Sequence, residues 1–119
     1  FYVDQMSLLF AIIVAWGMLL LWPHGEVEDR SRTDSILLIL AAAATGLALS
    51  GDLFNLYVFY ELVAVASYGL MVSSGRPPAL AATFRYLIVS AFGAALALIG
   101  IALVYSLTGT LNLAHLAEL

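Results

Sequence analysis

The chain has 119 residues, of which 64% are hydrophobic and 10% charged, with a mean hydropathy of +1.06 and a net charge of −4. Soluble domains average about 45–50% apolar and about 25% charged residues, so the composition argues against a soluble globule and more firmly against disorder. With no cysteine, disulfides are excluded and a zinc or iron–sulfur centre lacks its usual thiolates; four arginines without a lysine offer no basic face for nucleic acid.

The first apolar run, 6–22, carries no charge and ends at Pro23, His24 and Gly25, because proline removes a backbone donor and glycine favours a turn. No charged segment precedes it and no small-residue cleavage site follows, so a signal peptide is not expected. Glu26 to Asp34 is the most polar stretch and is expected to be a water-exposed loop. A second helix is predicted over 36–50, with Asp34 or Ser35 as its N-cap. Ala41 to Ala44 and Gly46 suit it to close helix packing. After a break at Gly51-Asp52, the third helix is predicted over 53–72. Ser73 to Pro78 is a loop, and the fourth helix is predicted over 79–105. At about 1.5 Å per residue, these runs span ~22–40 Å, which brackets a hydrocarbon core of about 30 Å. The runs are apolar throughout, without the alternation of a membrane barrel. The fold class is therefore all-α integral membrane, with four transmembrane helices in one unit, 1–119. The start at Phe1 and the stop after Thr108-Gly109-Thr110 suggest a piece of a longer polytopic bundle.

Four crossings put both termini and the 51–52 turn on one side, and the loops 23–35 and 73–78 on the other. Arg30, Arg32 and Arg76 lie in those two loops, so the positive-inside rule assigns the loops to the cytoplasm of a cell-membrane protein and the termini to the outside.

Glu61 stands about eight positions into the third helix, roughly 12 Å from its start. A charge there costs at least ~2.5–3.5 kcal/mol, so the carboxyl is neutral, paired, or facing water. Two readings stay open: a group that takes and releases protons, and a protonated glutamate that hydrogen-bonds a neighbouring helix. Tyr57, Glu61 and Tyr68 share one helical face, and two phenols and a carboxyl in line could hold a short water chain; the alternative for the tyrosines is an aromatic belt at the membrane boundary. Arg85, in the fourth helix, either snorkels to the boundary or partners Glu61 directly or through water. The depths of the two charges differ by ~8 Å on the same helical rise, which disfavours a direct pair. Tyr86, Ser90, Gly93, Ala97 and Gly100 form a stripe at steps of four and three, read as a packing surface. Asp4 and Asp52 near the outer helix ends are read as solvated caps, and His24 and His115 make no metal pair. There is no phosphate loop, nucleophile elbow or zinc-binding H-E-x-x-H motif.

The stretch GDLFNLYVFYELVAVASYGLM at 51–71 resembles the antiporter-like subunits of the Mrp cation/proton antiporters, the membrane-bound hydrogenases and respiratory complex I, and above all the D-type member of the Mrp group. FYVDQMSLLF at 1–10, AATFRYLIVSAFG at 81–93 and TGTLNLAHLA at 108–117 resemble further family segments in the same order. The resemblance implies helices three to six of a roughly fourteen-helix subunit. It makes Glu61 the family's proton-gating glutamate, whose partner lysine is on the seventh helix, and puts Arg85 where the family often has lysine. With no dinucleotide fingerprint and no cofactor or metal ligand set in the chain, no cofactor and no metal are expected in this segment. The expected function is proton or cation/proton translocation, with Glu61 and Arg85 as the working residues and Tyr57 and Tyr68 along a hydrated path. The expected partners are the lipid bilayer, sister membrane subunits of an antiporter or respiratory complex, H⁺ and Na⁺. A non-conducting scaffold that packs against such subunits is the alternative.

Overall fold

The computed structural model describes residues 3–22, 30–73 and 75–118. Five helices follow one another: α1 (Gln5–Leu21), α2 (Arg30–Ala48), α3 (Leu53–Ser73), α4 (Pro77–Thr108) and the single turn α5 (Leu113–Leu116). Among the described residues there is no strand, only an isolated antiparallel bridge between Asp52 and Asn112. Three helices, α2, α3 and α4, are long and apolar enough to cross a membrane, and α1, with 17 residues, is shorter.

Local chemistry sets the boundaries. Asp4 caps α1, its carboxylate accepting from the Ser7 amide at 2.6 Å. Asp52 caps α3 by accepting from the amides of Phe54 and Asn55 at 2.9 and 3.1 Å. At the far end of α4, Gly109 adopts φ +72°, and its amide donates to the Tyr105 carbonyl at 2.8 Å. This left-handed C-cap is where glycine has no Cβ penalty, and it ends the longest helix at the expected turn.

Two helix starts are corrected. α2 begins at Arg30, not 36, so Asp34 and Ser35 lie inside the helix and cap nothing. The polar turn is tolerated because Arg30 Nε faces Asp34 Oδ2 one turn on, at 3.9 Å, and the Ser35 hydroxyl donates to the Ser31 carbonyl. α4 begins at Pro77, because proline in a first turn gives up an amide that has no helical partner anyway. It also runs on to Thr108, with the hydroxyls of Ser106 and Thr108 bonded back to Leu103 and Val104. The predicted terminator Pro23 to Gly25 and the acidic stretch 26–29 lie outside the described residues.

Each helix packs on its neighbours in chain order, with the most extensive contact between α2 and α3. The extents are 52 × 32 × 16 Å. The smallest is little more than one helix diameter of about 10–12 Å, so the helices stand in a row one layer thick. What the described row buries is small: Ala43, Gly46, Ala64, Ala66, Thr83 and Ala94. Gly46 lies so close to Phe59 of α3 that an added methyl would run into the ring, and Gly69 sits over Ile36. Large apolar side chains face outward on both sides, with Leu20 73%, Val89 72% and Leu107 85% exposed. Helices that are apolar all round and packed through small residues are the pattern of membrane bundles, where lipid or other helices cover what water does not.

Candidate functional site

Glu61 lies on α3 eight residues from Leu53 and twelve from Ser73, roughly 12 and 18 Å from the two helix ends. It is half-buried, and its Oε1 is withdrawn from water and has no hydrogen-bond partner. Buried acceptors are nearly always paired, so an orphan in the middle of an apolar helix calls for a functional or structural account.

The face that carries Glu61 is fixed by contacts on either side. Phe59 and Gly69 turn toward α2, through Gly46 and Ile36. Tyr68 turns toward α4, its ring meeting that of Tyr86 edge to face, with centroids 5.3 Å apart. Tyr57, Glu61, Ala64 and Tyr68 follow at steps of four, three and four, within an arc of about 60°, and so share the α4 side. The expected grouping of Tyr57, Glu61 and Tyr68 on one face is therefore present, and all three are half-buried.

The Tyr68–Tyr86 contact also sets the register of the antiparallel pair. Counting from it, Glu61 lies level with residue 93 of α4, and Arg85 lies one residue beyond Tyr86 in the other direction. The axial offset between Glu61 and Arg85 is then about 12 Å. Arg85 is exposed, roughly opposite Ala94, one of the two buried residues of α4. No ion pair joins Arg85 and Glu61 among the described residues. The small-residue stripe divides as well. Tyr86 and half-buried Ser90 belong to the α3 side, whereas a Cβ added at Gly93 or Gly100 would meet nothing within 4 Å.

All four arginines lie toward one end of the row: Arg30 and Arg32 in the first turn of α2, Arg76 as the N-cap of α4, Arg85 in its early turns. At the opposite end, Asp4, Ser7, Ser50, Asp52 and Asn112 line an open cleft of about 450 Å³. The chain after α4 returns to this end. Leu53 donates to the Leu111 carbonyl at 2.9 Å, Leu113 donates to the Gly51 carbonyl at 3.0 Å, and Asn112 caps α5. Hydrogen bonds from the Ser7 hydroxyl and amide hold the Asp4 carboxyl below its ordinary range. Asp4 and Asp52 both serve as caps, as expected. Their convergence with Asn112 on one cleft carries no signal in the spacing of the sequence. No cluster of three or more metal-ligating side chains occurs among the described residues.

A model of the transmembrane family described as NADH:quinone oxidoreductase/Mrp antiporter matches residues 50–119. The chain belongs to this family. The D-type Na(+)/H(+) antiporter subunit of Bacillus subtilis (strain 168) is 42% identical over 93 residues, covering 78% of this chain and 19% of that protein. Its counterpart in Alkalihalophilus pseudofirmus is 45% identical over 78 residues, 66% of this chain and 16% of its own length. The N-type NADH-quinone oxidoreductase subunit of Desulforudis audaxviator is 42% identical over 92 residues, 77% of this chain and 18% of its own length. The chain thus spans about a fifth or less of these relatives. It is an antiporter-like, multi-pass membrane chain of the Mrp and complex I family, and the family match covers both α3, with Glu61, and α4, with Arg85.

Proposed function

We propose that this chain forms part of a cation/proton-translocating membrane subunit in which the Glu61 carboxyl takes up and releases a proton inside the bilayer. The observation that carries the reading is Glu61 itself: an acid in the middle of a span, with one oxygen shielded and unpartnered. An isolated charge is costly in hydrocarbon, so such a carboxyl is stable when protonated, or when a base or water arrives beside it. Alternation between those conditions is what a proton stop requires. Tyr57 and Tyr68 flank it on the same face and offer hydroxyls to a water chain. Arg85 supplies a fixed cation near the arginine-rich end, where it biases the approach of protons without touching Glu61. The antiporter relatives, named for Na(+)/H(+) and, in one case, for K(+)/H(+) exchange, support an alkali cation as the exchanged ion, and sister membrane subunits as partners. The proton limb is common to this proposal and to a redox-driven pump of the kind named by the NADH-quinone oxidoreductase relative. The arginine-rich end is proposed as cytoplasmic, in the cell membrane.

A scaffold reading draws on one observation, the open Gly93–Gly100 face of α4, which suits close contact with another helix. Proton flux against pH, measured in vesicles with assembly checked in parallel, separates the two. Glu61→Gln keeps the shape and removes the exchangeable proton, so flux should fall about tenfold or more while assembly stays normal. Glu61→Asp should retain part of the flux. Arg85→Lys should keep most of it, because the positive charge stays in place, and Arg85→Ala should lower it. Wild-type flux from assembled Glu61→Gln would overturn the proton role and favour the scaffold.

A further inference from the structure

A serine or threonine inside an apolar helix commonly turns its hydroxyl back to a carbonyl three or four residues earlier. Thr45, Ser67, Thr83 and Ser106 do so, at 2.8, 2.8, 2.7 and 2.8 Å. Ser90, inside α4, does not: among the described residues its hydroxyl has no hydrogen-bond partner. It does not face outward into the apolar surroundings either. Ser90 is half-buried, and it falls within an arc of about 60° that also holds Thr83 and Ala94, the two buried residues of α4. That side of α4 meets α3.

The polar face of α3 has a gap that this hydroxyl meets. Tyr68 and Glu61 stand seven residues apart, about 10 Å along the axis, and buried Ala64 between them offers no polar side-chain atom. Two hydrogen bonds through one water reach only about 5 Å, so a single water cannot close that distance. In the register set by the Tyr68–Tyr86 contact, Ser90 lies level with Ala64. Its level is about 6 Å from that of Tyr68 and about 4.5 Å from that of Glu61. The hydroxyl therefore divides the gap into two spans, each near the length that one water bridges.

Resting on the reading of Glu61 as a proton stop, we infer that Ser90 is a further relay residue, whose hydroxyl passes protons between the Tyr68 level and the Glu61 carboxyl with one water on either side. The serine oxygen takes a proton on a free lone pair while its own hydrogen moves to the next oxygen. One O–H bond forms and one breaks, so the serine ends neutral, as it began. Rotation about the Cβ–Oγ bond then resets the donor. Thr83 lies on the same side of α4, but its hydrogen is held on the Ala79 carbonyl, which leaves Ser90 as the hydroxyl free to turn.

The test combines proton flux in vesicles, with assembly checked in parallel, and the infrared carbonyl band of protonated Glu61. Ser90→Ala removes the hydroxyl with little change in size, and flux should fall about tenfold at normal assembly. Ser90→Thr keeps a hydroxyl and should hold most of the wild-type flux. The Glu61 band should still come and go with pH in Ser90→Ala, because a relay sets how fast protons arrive and not where the equilibrium lies. Equal loss of flux in Ser90→Ala and Ser90→Thr, or a Glu61 band that vanishes in Ser90→Ala, would make the serine a packing residue and overturn the relay. Glu61→Gln, run alongside, keeps the two claims apart. Flux lost in Glu61→Gln but unchanged in Ser90→Ala overturns the relay alone, whereas wild-type flux in Glu61→Gln overturns the proton stop and the relay together.

Discussion

A carboxyl in the middle of an apolar helix is tolerated in one of three ways: it keeps its proton, it meets a base, or it meets water. Glu61 meets no base among the described residues, and Arg85, the cation on the neighbouring helix, is exposed and about 12 Å away along the helix axes. The acid itself was legible in the sequence, because one charge in a long apolar run stands out. The direction of Arg85 was not, since it depends on which side of α4 meets α3, and that is decided by Ala94, Thr83 and the Tyr68–Tyr86 contact rather than by α4's own pattern. Asp4 shows residue-scale chemistry at the other end. Its folded pKa lies below the ordinary aspartate value of 3.8 because the Ser7 hydroxyl and amide bond the ionised form. A lowered carboxyl pKa contributes stability that is complete above the unfolded value and is lost as pH falls through the folded one. The α1 cap should therefore be intact at neutral pH and fail only in acid. The Ser7 amide shift, followed by NMR from neutral pH downward, should titrate with a midpoint below 3.8; a midpoint above it would contradict the cap.

At the scale of the helices, hydrophobic runs located all four long elements, and errors gathered where polar residues are helical. The Arg30–Asp34 ion pair is made within the first turns of α2, and the hydroxyls of Ser35, Ser106 and Thr108 bond back to carbonyls of their own helices, so polarity alone misplaced the start of α2 and the end of α4. The α2–α3 contact depends on Gly46. Gly46→Val should push against Phe59 and cost about 1–3 kcal/mol, read as a lower thermal midpoint of the full chain in detergent. Adding Phe59→Ala should restore part of that loss, and an equal midpoint for wild type and Gly46→Val would mean the ring moves aside freely. The open glycines of α4 behave differently. Gly93→Leu or Gly100→Leu should leave helix content and insertion unchanged, because a Cβ added at either position meets nothing within 4 Å. Each should lower the amount of assembled complex, measured by co-purification of membrane subunits. Normal assembly in both would mean that this face looks onto lipid.

The whole molecule is a row of helices with its arginines at one end and its capping carboxylates at the other. A cysteine at exposed Ser31 should be labelled from the cytoplasm alone, and one at exposed His115 from the outside alone, as the positive-inside rule requires; the opposite pattern would invert the proposed orientation. The thinness of the row and its outward-facing leucines and valines are consistent with relatives of which this chain covers about a fifth, whose further helices have surface here to pack against. Composition made the membrane class legible, but nothing in it fixed the one-layer arrangement, in which small residues pack each described helix mainly on its neighbours in chain order. The most direct test of the account is the protonation of Glu61, read by difference infrared spectroscopy on the full chain in membranes as pH is stepped through its working range. A carbonyl band of a protonated carboxylic acid should appear and vanish reversibly within that range, and be absent from Glu61→Gln. A band that persists unchanged in Glu61→Gln, or a Glu61 carboxyl that never changes its protonation, would contradict it.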